Sequence, residues 1–360
     1  MRFVIAAGGT GGHLFPGLAV GEVLRARGHE VMLLISEKEI DAVATKGRTE
    51  FRIEKVAGEG LQSKSPLALF RFWRKLQLAK KQCARLYDDW KPAAVLGMGG
   101  FTCFAPIVTG RKRGLPTFVH ESNAIPGRAN RWNARYVTRV LLGFEDCRKH
   151  FPKAQCEVVG TPVRNALREP IDRAQALAAF GFSPGFKTLL VMGGSQGASG
   201  INRRMAEALP RLAGRVQVIH LTGKGDEASM QEAYKAAGIP AHVAAFHHAM
   251  QEAYGAADLS IARSGAASLT ELSYFGVPAL LIPYPFAADD HQTANAQIFD
   301  RAGAGVLVKE SEATGEILAG KILELLDAPE RLAAMAQHAR KLAPGDSAER
   351  VADTILRFCQ

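Results

Sequence analysis

Cysteine is scarce and scattered. The five cysteines, at 83, 103, 147, 156 and 359, form no C-x-x-C pair and no zinc-ligand spacing. That excludes a disulfide framework and fits reduced thiols in a cytosol. Long apolar runs are missing too, and none approaches the ~18 residues that a bilayer-crossing helix needs. A short apolar stretch follows Arg2 but ends without a small-residue cleavage site, so Met1–Ala7 reads as a first strand and not as a signal peptide. Acid falls short of base, with 35 Asp and Glu against 45 Lys and Arg, for a net charge of +10. Such an excess calls for an anionic partner: nucleic acid, a membrane face or phosphorylated small molecules. No recognised nucleic-acid module accompanies the charge, which sets nucleic acid aside.

What is present is a strand–glycine turn–helix pattern, used twice. Phe3-Val4-Ile5-Ala6-Ala7 runs into Gly8-Gly9-Thr10-Gly11-Gly12-His13, and Thr188-Leu189-Leu190-Val191-Met192 runs into Gly193-Gly194-Ser195-Gln196-Gly197. Each turn aims free backbone N–H groups and the positive end of a helix dipole at whatever lies above it. A nicotinamide or flavin fingerprint needs G-x-G-x-x-G; the first turn lacks the third glycine, with Leu14 in its place, and the second turn does not fit either. The 360 residues suffice for two domains. Strands are expected at 1–7, Glu30–Ile35, 93–96, 117–120, 137–142 and 157–160. A second set falls at Lys187–Met192, Val216–Leu221, 242–246, Leu259–Ala262, 279–283 and 305–308. Helices alternate with them, among them 16–27 with Pro16 in its first turn, Ala266–Phe275, 292–301 and an amphipathic 347–359. This alternation predicts two α/β domains with parallel sheets facing a cleft that holds a phosphate-bearing ligand. The boundaries expected are 1–160, a linker with a hinge at 161–170, 171–345, and a final helix at 346–360 that packs back on either domain.

Several polar residues fall at predicted strand ends, where ligands bind in such sheets. His13 sits at a helix mouth, where the dipole disfavours the imidazolium, so it is the candidate general base. Glu121, in His120-Glu121-Ser122-Asn123, orients His13, holds an acceptor hydroxyl, or is the alternative base. Asn123 can donate and accept. Ser195 and Arg164 suit a pyrophosphate, Glu271 a ribose, and the amides Gln292 and Asn295, three apart on one helix face, suit sugar hydroxyls. Asp289-Asp290 and His247-His248 lack the converging ligands of a metal site. Between residues 61 and 81, Leu67, Leu69, Phe70, Phe72, Trp73 and Leu76 interleave with Lys64, Arg71, Arg74, Lys75, Lys80 and Lys81, and no acid interrupts them. The pattern suits either an anionic membrane face or a helix packing its rings on the sheet.

Taken together, Gly8–His13 with Phe15-Pro16-Gly17, His120-Glu121-x-Asn123 with Pro126-Gly127-x-x-Asn130, Gly193-Gly194-Ser195-x-Gly197, and Arg263-Ser264-Gly265 through Glu271, Pro278 and Gln292-x-x-Asn295 resemble the MurG family. These are the peptidoglycan N-acetylglucosaminyltransferases that make lipid II from lipid I. The resemblance implies a GT-B fold of two Rossmann-like domains. It implies inverting transfer of GlcNAc from UDP-GlcNAc to the C4 hydroxyl of lipid I, without cofactor or metal. It has Thr10, Gly11, Gly12 and Asn123 touching the donor from the first domain. From the second, Arg164, Ser195, the stretch Ala266, Ala267, Ser268, Leu269, Thr270 and Glu271, and Gln292 bind it. His247 stands where the family has an aliphatic residue near the uracil. Leu67, Phe70, Trp73, Arg74 and Lys75 would hold the enzyme as a peripheral protein at the cytoplasmic face of the bacterial membrane, among the proteins of cell-wall synthesis. Rival readings on the same architecture are a UDP-GlcNAc 2-epimerase, a diacylglycerol glycosyltransferase and a non-catalytic nucleotide-sugar sensor.

Overall fold

The computed structural model describes residues 1–38, 41, 45–58, 65–167, 171–194, 197–343 and 345–359. Tertiary contacts divide the chain into two units, Met1–Asn165 with Asp346–Gln360, and Ala166–Gly345.

The first unit is built on seven parallel strands: β1 Arg2–Ala6, β2 Glu30–Ile35, β3 Arg52–Lys55, β4 Ala94–Gly97, β5 Thr117–Glu121, β6 Arg139–Leu142 and β7 Cys156–Val158. Their order is β3-β2-β1-β4-β5-β6-β7. Side chains alternate across the sheet, and both faces are covered. Phe3 and Ile5 pack with Leu14 and Leu18 of the helix Gly11–Ala26 and with Val351 and Ile355 of the last helix, Ser347–Arg357. Val4 and Ala6 face the other way, onto Ala79, Cys83 and Tyr87 of the helix Pro66–Trp90.

The last helix therefore completes the first unit's core. Burying Val351 and Ile355 there stabilises it by roughly 1.5–3 kcal/mol each. Arg27 pairs with Glu349 and Asp353, and the Thr354 hydroxyl donates to Glu157 at 2.8 Å. These surface pairs set the register of the helix more than its stability.

In the second unit six parallel strands, β8 Lys187–Met192, β9 Val216–Leu221, β10 Ala241–Ala244, β11 Leu259–Ala262, β12 Ala279–Leu281 and β13 Gly305–Leu307, run in the order β10-β9-β8-β11-β12-β13. This is the doubly wound order, in which the topology reverses between the first and fourth strands. In each unit the glycine turn leaves the strand at that reversal, after β1 in one and after β8 in the other. Ligand sites lie beyond the strand ends at such a point.

One helix start differs from the sequence expectation. The first helix begins at Gly11, not at Pro16, so the glycine turn is itself the first helical turn and Pro16 lies inside the helix. Thr10 is the N-cap, in extended backbone. Gly17 has a positional reason. A Cβ there would stand 2.6 Å from the Ala7 Cβ, so only glycine lets the helix lie this close to its strand.

Candidate active site

In the first unit His13 lies in the first turn of the Gly11–Ala26 helix, half-buried. Its Nδ1 is 3.2 Å from the Thr10 hydroxyl. A second glycine-rich turn, Gly99-Gly100 after β4, presses on the ring. A Cβ on Gly99, whose φ is +112°, would come within 2.8 Å of Nε2. Loss of solvent holds the imidazole below its ordinary pKa, against the opposing pull of the Glu121 charge and of the Gly8 carbonyl. A ring kept neutral in this way can accept a proton.

Glu121 has a different task from the one its position suggests. Oε1 accepts from the Asn123 N–H at 2.9 Å and from Asn123 Nδ2 at 3.0 Å. Oε2 accepts from the Gly127 N–H at 3.0 Å and from Asn130 Nδ2 at 2.9 Å. The carboxylate is buried and already carries four donors, so it is not set to take a proton from a substrate or to bind His13. Those four bonds occupy the lone pairs that the expected roles, alternative base or partner of the acceptor hydroxyl, would use. It folds the 121–130 loop, and Asn123 is one of the groups it holds. His120 behind it is fully buried, with Nε2 2.8 Å from the Gly160 carbonyl and Nδ1 3.3 Å from the Ser122 hydroxyl.

A further carboxylate escaped sequence reading. Asp41 Oδ2 accepts from the N–H groups of Gly9 at 2.8 Å and Ser36 at 3.0 Å, and so anchors the glycine turn to β2. Nothing in the local sequence marks this residue. Thr10 and Gly12 are exposed and Gly11 is half-buried, whereas the Arg164 guanidinium lies over the Phe15 ring at 4.5 Å.

In the second unit the strand ends border a cavity of about 970 Å³ lined among others by Gly193, Gly194, Ser199, Ser268 and Gln292. Ser195 lies outside the described residues. The turn is tight because it must be. A Cβ on Gly193 would sit 2.3 Å from the Ala198 nitrogen, and one on Gly197 would sit 2.2 Å from the Thr222 carbonyl oxygen. Arg203, which sequence reading passed over, also lines the cavity, one turn into the helix Ser199–Leu212.

The helix Ala266–Phe275 begins at the mouth of this cavity, and its faces divide the expected binding stretch. Ala267, Ser268 and Glu271 are half-buried and available. Ala266, Leu269 and Thr270 turn inward: Leu269 is in the core and the Thr270 hydroxyl donates to the Ala266 carbonyl at 2.9 Å. Their side chains are thus removed from the expected binding set. Asn295 is removed for the same reason, being fully buried with Nδ2 donating to the Ser264 carbonyl at 3.0 Å. Gln292 remains at the cavity, its Oε1 accepting from the Tyr284 N–H at 2.9 Å. Glu271 Oε2 accepts from the Tyr254 hydroxyl at 2.7 Å. His247 Nε2 stands 3.1 Å from Glu252 Oε2, with the ring 5.2 Å from that of Phe180. Arg263 is bound inward, to the carbonyls of Ile282 and Pro283 and to Glu310, each at 2.9–3.0 Å. Among the described residues no group of three or more His, Cys, Asp or Glu is arranged to hold a metal ion.

The basic, aromatic segment forms the helix Pro66–Trp90, with Lys64 outside the described residues. Leu67 (59% exposed), Phe70 (59%) and Trp73 (57%) point to solvent, as do Arg74 and Lys75. These rings are not core. Among the described residues no helix is long and apolar enough to cross a membrane.

Comparison with known proteins gives the family. Residues 3–142 match the glycosyltransferase family 28 N-terminal domain, and residues 188–353 match the family 28 C-terminal domain. A Geobacter sulfurreducens protein named UDP-N-acetylglucosamine--N-acetylmuramyl-(pentapeptide) pyrophosphoryl-undecaprenol N-acetylglucosamine transferase is 38% identical over 99% of this chain and 98% of its own. The crystal structure of Acinetobacter baumannii MurG superposes with a TM-score of 0.79 at 30% identity, covering 99% of each chain. A UDP-GlcNAc 2-epimerase from Neisseria meningitidis reaches 0.71 at only 14% identity, a likeness of fold alone. The fold is GT-B, and the chain belongs to glycosyltransferase family 28 and, within it, to the MurG family of N-acetylglucosaminyltransferases.

Proposed function

We propose that this chain transfers GlcNAc from UDP-GlcNAc to the C4 hydroxyl of the MurNAc-pentapeptide of lipid I, with inversion, to give lipid II. In that reaction the C4 oxygen attacks the anomeric carbon as the bond to the UDP oxygen breaks. The hydroxyl proton passes to the neutral imidazole of His13, and UDP leaves with the bonding pair. His13 carries the reading. It is a desolvated imidazole at a strand-end glycine turn, and Gly99 and Gly100 close over it. The donor belongs in the second-unit cavity, with its diphosphate on the N–H groups of Gly193 and Gly194 and at the start of the helix Ser199–Leu212. Arg203 adds a positive charge there, and Glu271 takes the ribose hydroxyls. Donors fixed before the reaction stabilise the leaving diphosphate without reorganising.

The lipid acceptor requires a membrane, and the exposed Leu67, Phe70 and Trp73 beside Arg74 and Lys75 supply the apolar and cationic surface for an anionic leaflet. That leaflet is the cytoplasmic one, where UDP-GlcNAc is found. The deciding experiment measures UDP release from UDP-GlcNAc with and without a lipid I analogue. Release that depends on the analogue supports transfer. Conversion of UDP-GlcNAc to UDP-ManNAc without lipid, or tight UDP-GlcNAc binding with no release under any condition, sinks it.

A further inference from the structure

A line of polar side chains runs from Ser199, at the border of the second unit's cavity, into the core and has no part in the mechanism above. Tyr234 and His220 are fully buried, and Asn202 nearly so. His220 Nδ1 is 2.9 Å from the Tyr234 hydroxyl, and His220 Nε2 is 3.0 Å from Asn202 Oδ1. Asn202 Nδ2 donates to the Thr222 carbonyl at 3.0 Å and to Asp226 Oδ2 at 2.7 Å. The Asp226 carboxylate in turn accepts from Ser199.

The directions of these bonds are forced. Asn202 uses its amide hydrogens on two acceptors, so its Oδ1 must accept. His220 Nε2 then carries the hydrogen, His220 Nδ1 must accept, and Tyr234 must donate. Burial keeps the ring neutral by pushing its pKa down to about 3, so the single tautomer is stable. The line thus has one arrangement in which each of its bonds is made.

At Asn202 the line branches, and both branches reach the glycine turn. Ser199 begins the helix whose N-terminus borders the cavity. Thr222 presents the carbonyl oxygen against which Gly197 packs so closely that a Cβ would stand 2.2 Å away. Asn202 therefore ties the floor of the turn to the helix start through one side chain.

We propose that Tyr234, His220, Asn202 and Asp226 are positioning residues for the nucleotide diphosphate. In this role the hydrogen-bond line fixes the helix start and the 197–199 backbone in the geometry that receives the phosphates. The proposal rests on the reading that the second unit binds UDP. Partly satisfied buried networks are costly, whereas complete ones specify a single conformation. A line this deep, joining three elements, favours one placement of the turn over its alternatives.

The test titrates UDP into the full-length chain and its variants by calorimetry, followed by steady-state kinetics. Asn202→Ala and Tyr234→Phe break the line. Ile239→Val, in the same hydrophobic core, is the control for a loss of packing alone. For Asn202→Ala, Kd for UDP and KM for UDP-GlcNAc should rise about tenfold, the loss of roughly 1.4 kcal/mol. Tyr234→Phe should show a smaller rise in both, kcat should stay within about twofold for both variants, and Ile239→Val should bind as the parent does. If both variants remain folded and bind UDP like the parent, the line is only fold support and the proposal falls. Should Asn202→Ala fail to fold, Tyr234→Phe decides alone by the same criterion. A parent chain that binds no UDP overturns the donor reading itself, a result distinct from equal binding by parent and variants.

Discussion

The Tyr254 hydroxyl donates to Glu271 Oε2 at 2.7 Å, from the helix Met250–Ala256 to the helix Ala266–Phe275. Tyr254 is buried while Glu271 is half-buried, one turn beyond Ser268, which lines the second unit's cavity. A fixed carboxylate loses less freedom on binding a diol than a mobile one. Tyr254→Phe should therefore raise KM for UDP-GlcNAc several-fold and leave kcat nearly unchanged. Glu271→Gln should raise KM further. Initial-rate kinetics over a donor range checks both. A Tyr254→Phe enzyme with parental KM would show that Glu271 does not meet the donor.

His13 and Glu121 should separate under mutation. His13→Ala should abolish turnover while sparing UDP binding, because the ring acts on the acceptor. In the parent, kcat/KM should fall toward acid with its midpoint below the ordinary imidazole value, since burial lowers the His13 pKa and only the neutral ring accepts a proton. Glu121→Gln replaces an acceptor of four hydrogen bonds with a side chain that can accept at one atom only. It should lower stability by about 2 kcal/mol. It should reduce kcat without abolishing activity. Complete inactivity of a well-folded Glu121→Gln would make that residue the base after all.

Stability should decline steeply on mild acidification. His220 and His120 are both fully buried, and burial lowers the pKa of each, that of His220 to about 3. An unfolded chain binds a proton at each below about pH 6.5, while the folded chain does not. Their stabilisation is thus complete above that pH and is lost as the pH falls toward the folded values. Each contributes a slope of about 1 kcal/mol per pH unit in that window. Urea midpoints at pH 7.5 and 5.5 measure it, and a flat profile between them would mean that both rings are protonated in the native state.

The Pro66–Trp90 helix gives a prediction for lipid. Replacing Phe70 and Trp73 with Ser removes two rings that are more than half exposed, so the thermal midpoint should hardly move. Binding to vesicles containing anionic lipid should weaken markedly. Replacing Arg74 and Lys75 with Gln should weaken it further, by about 1 kcal/mol per site, and added salt should mimic the effect. Unchanged sedimentation with vesicles would leave these rings without a lipid role.

The fold class was legible because strand and helix periodicities alternate so regularly and each doubly wound sheet puts its first strand at the reversal point. Boundaries were less so. β3, Arg52-Ile53-Glu54-Lys55, is a polar edge strand with one apolar residue and offers no run to detect. The first helix starts within the glycine turn because glycine tolerates helical backbone at a terminus when the next strand's turn holds it, which propensity alone does not disclose. At the site, motif spacing identified neighbourhoods but not directions. Glu121 and Asn123 are two apart in sequence, yet one serves the other. Leu269, Thr270 and Asn295 lie within the recognised stretches but face inward. Asp41 came from a segment with no pattern at all, since its partner Gly9 is thirty-two residues away.

Because Ser347–Arg357 fills the core that β1 begins, the first unit cannot finish folding until residues 347–357 have left the ribosome. The half made first is completed last, after the intervening 180-residue unit (166–345) has already emerged and had time to fold by itself. A chain cut near Gly345 would then carry a folded second unit beside an open, aggregation-prone first one, because the helix that closes the core of β1 is supplied from beyond the whole intervening unit.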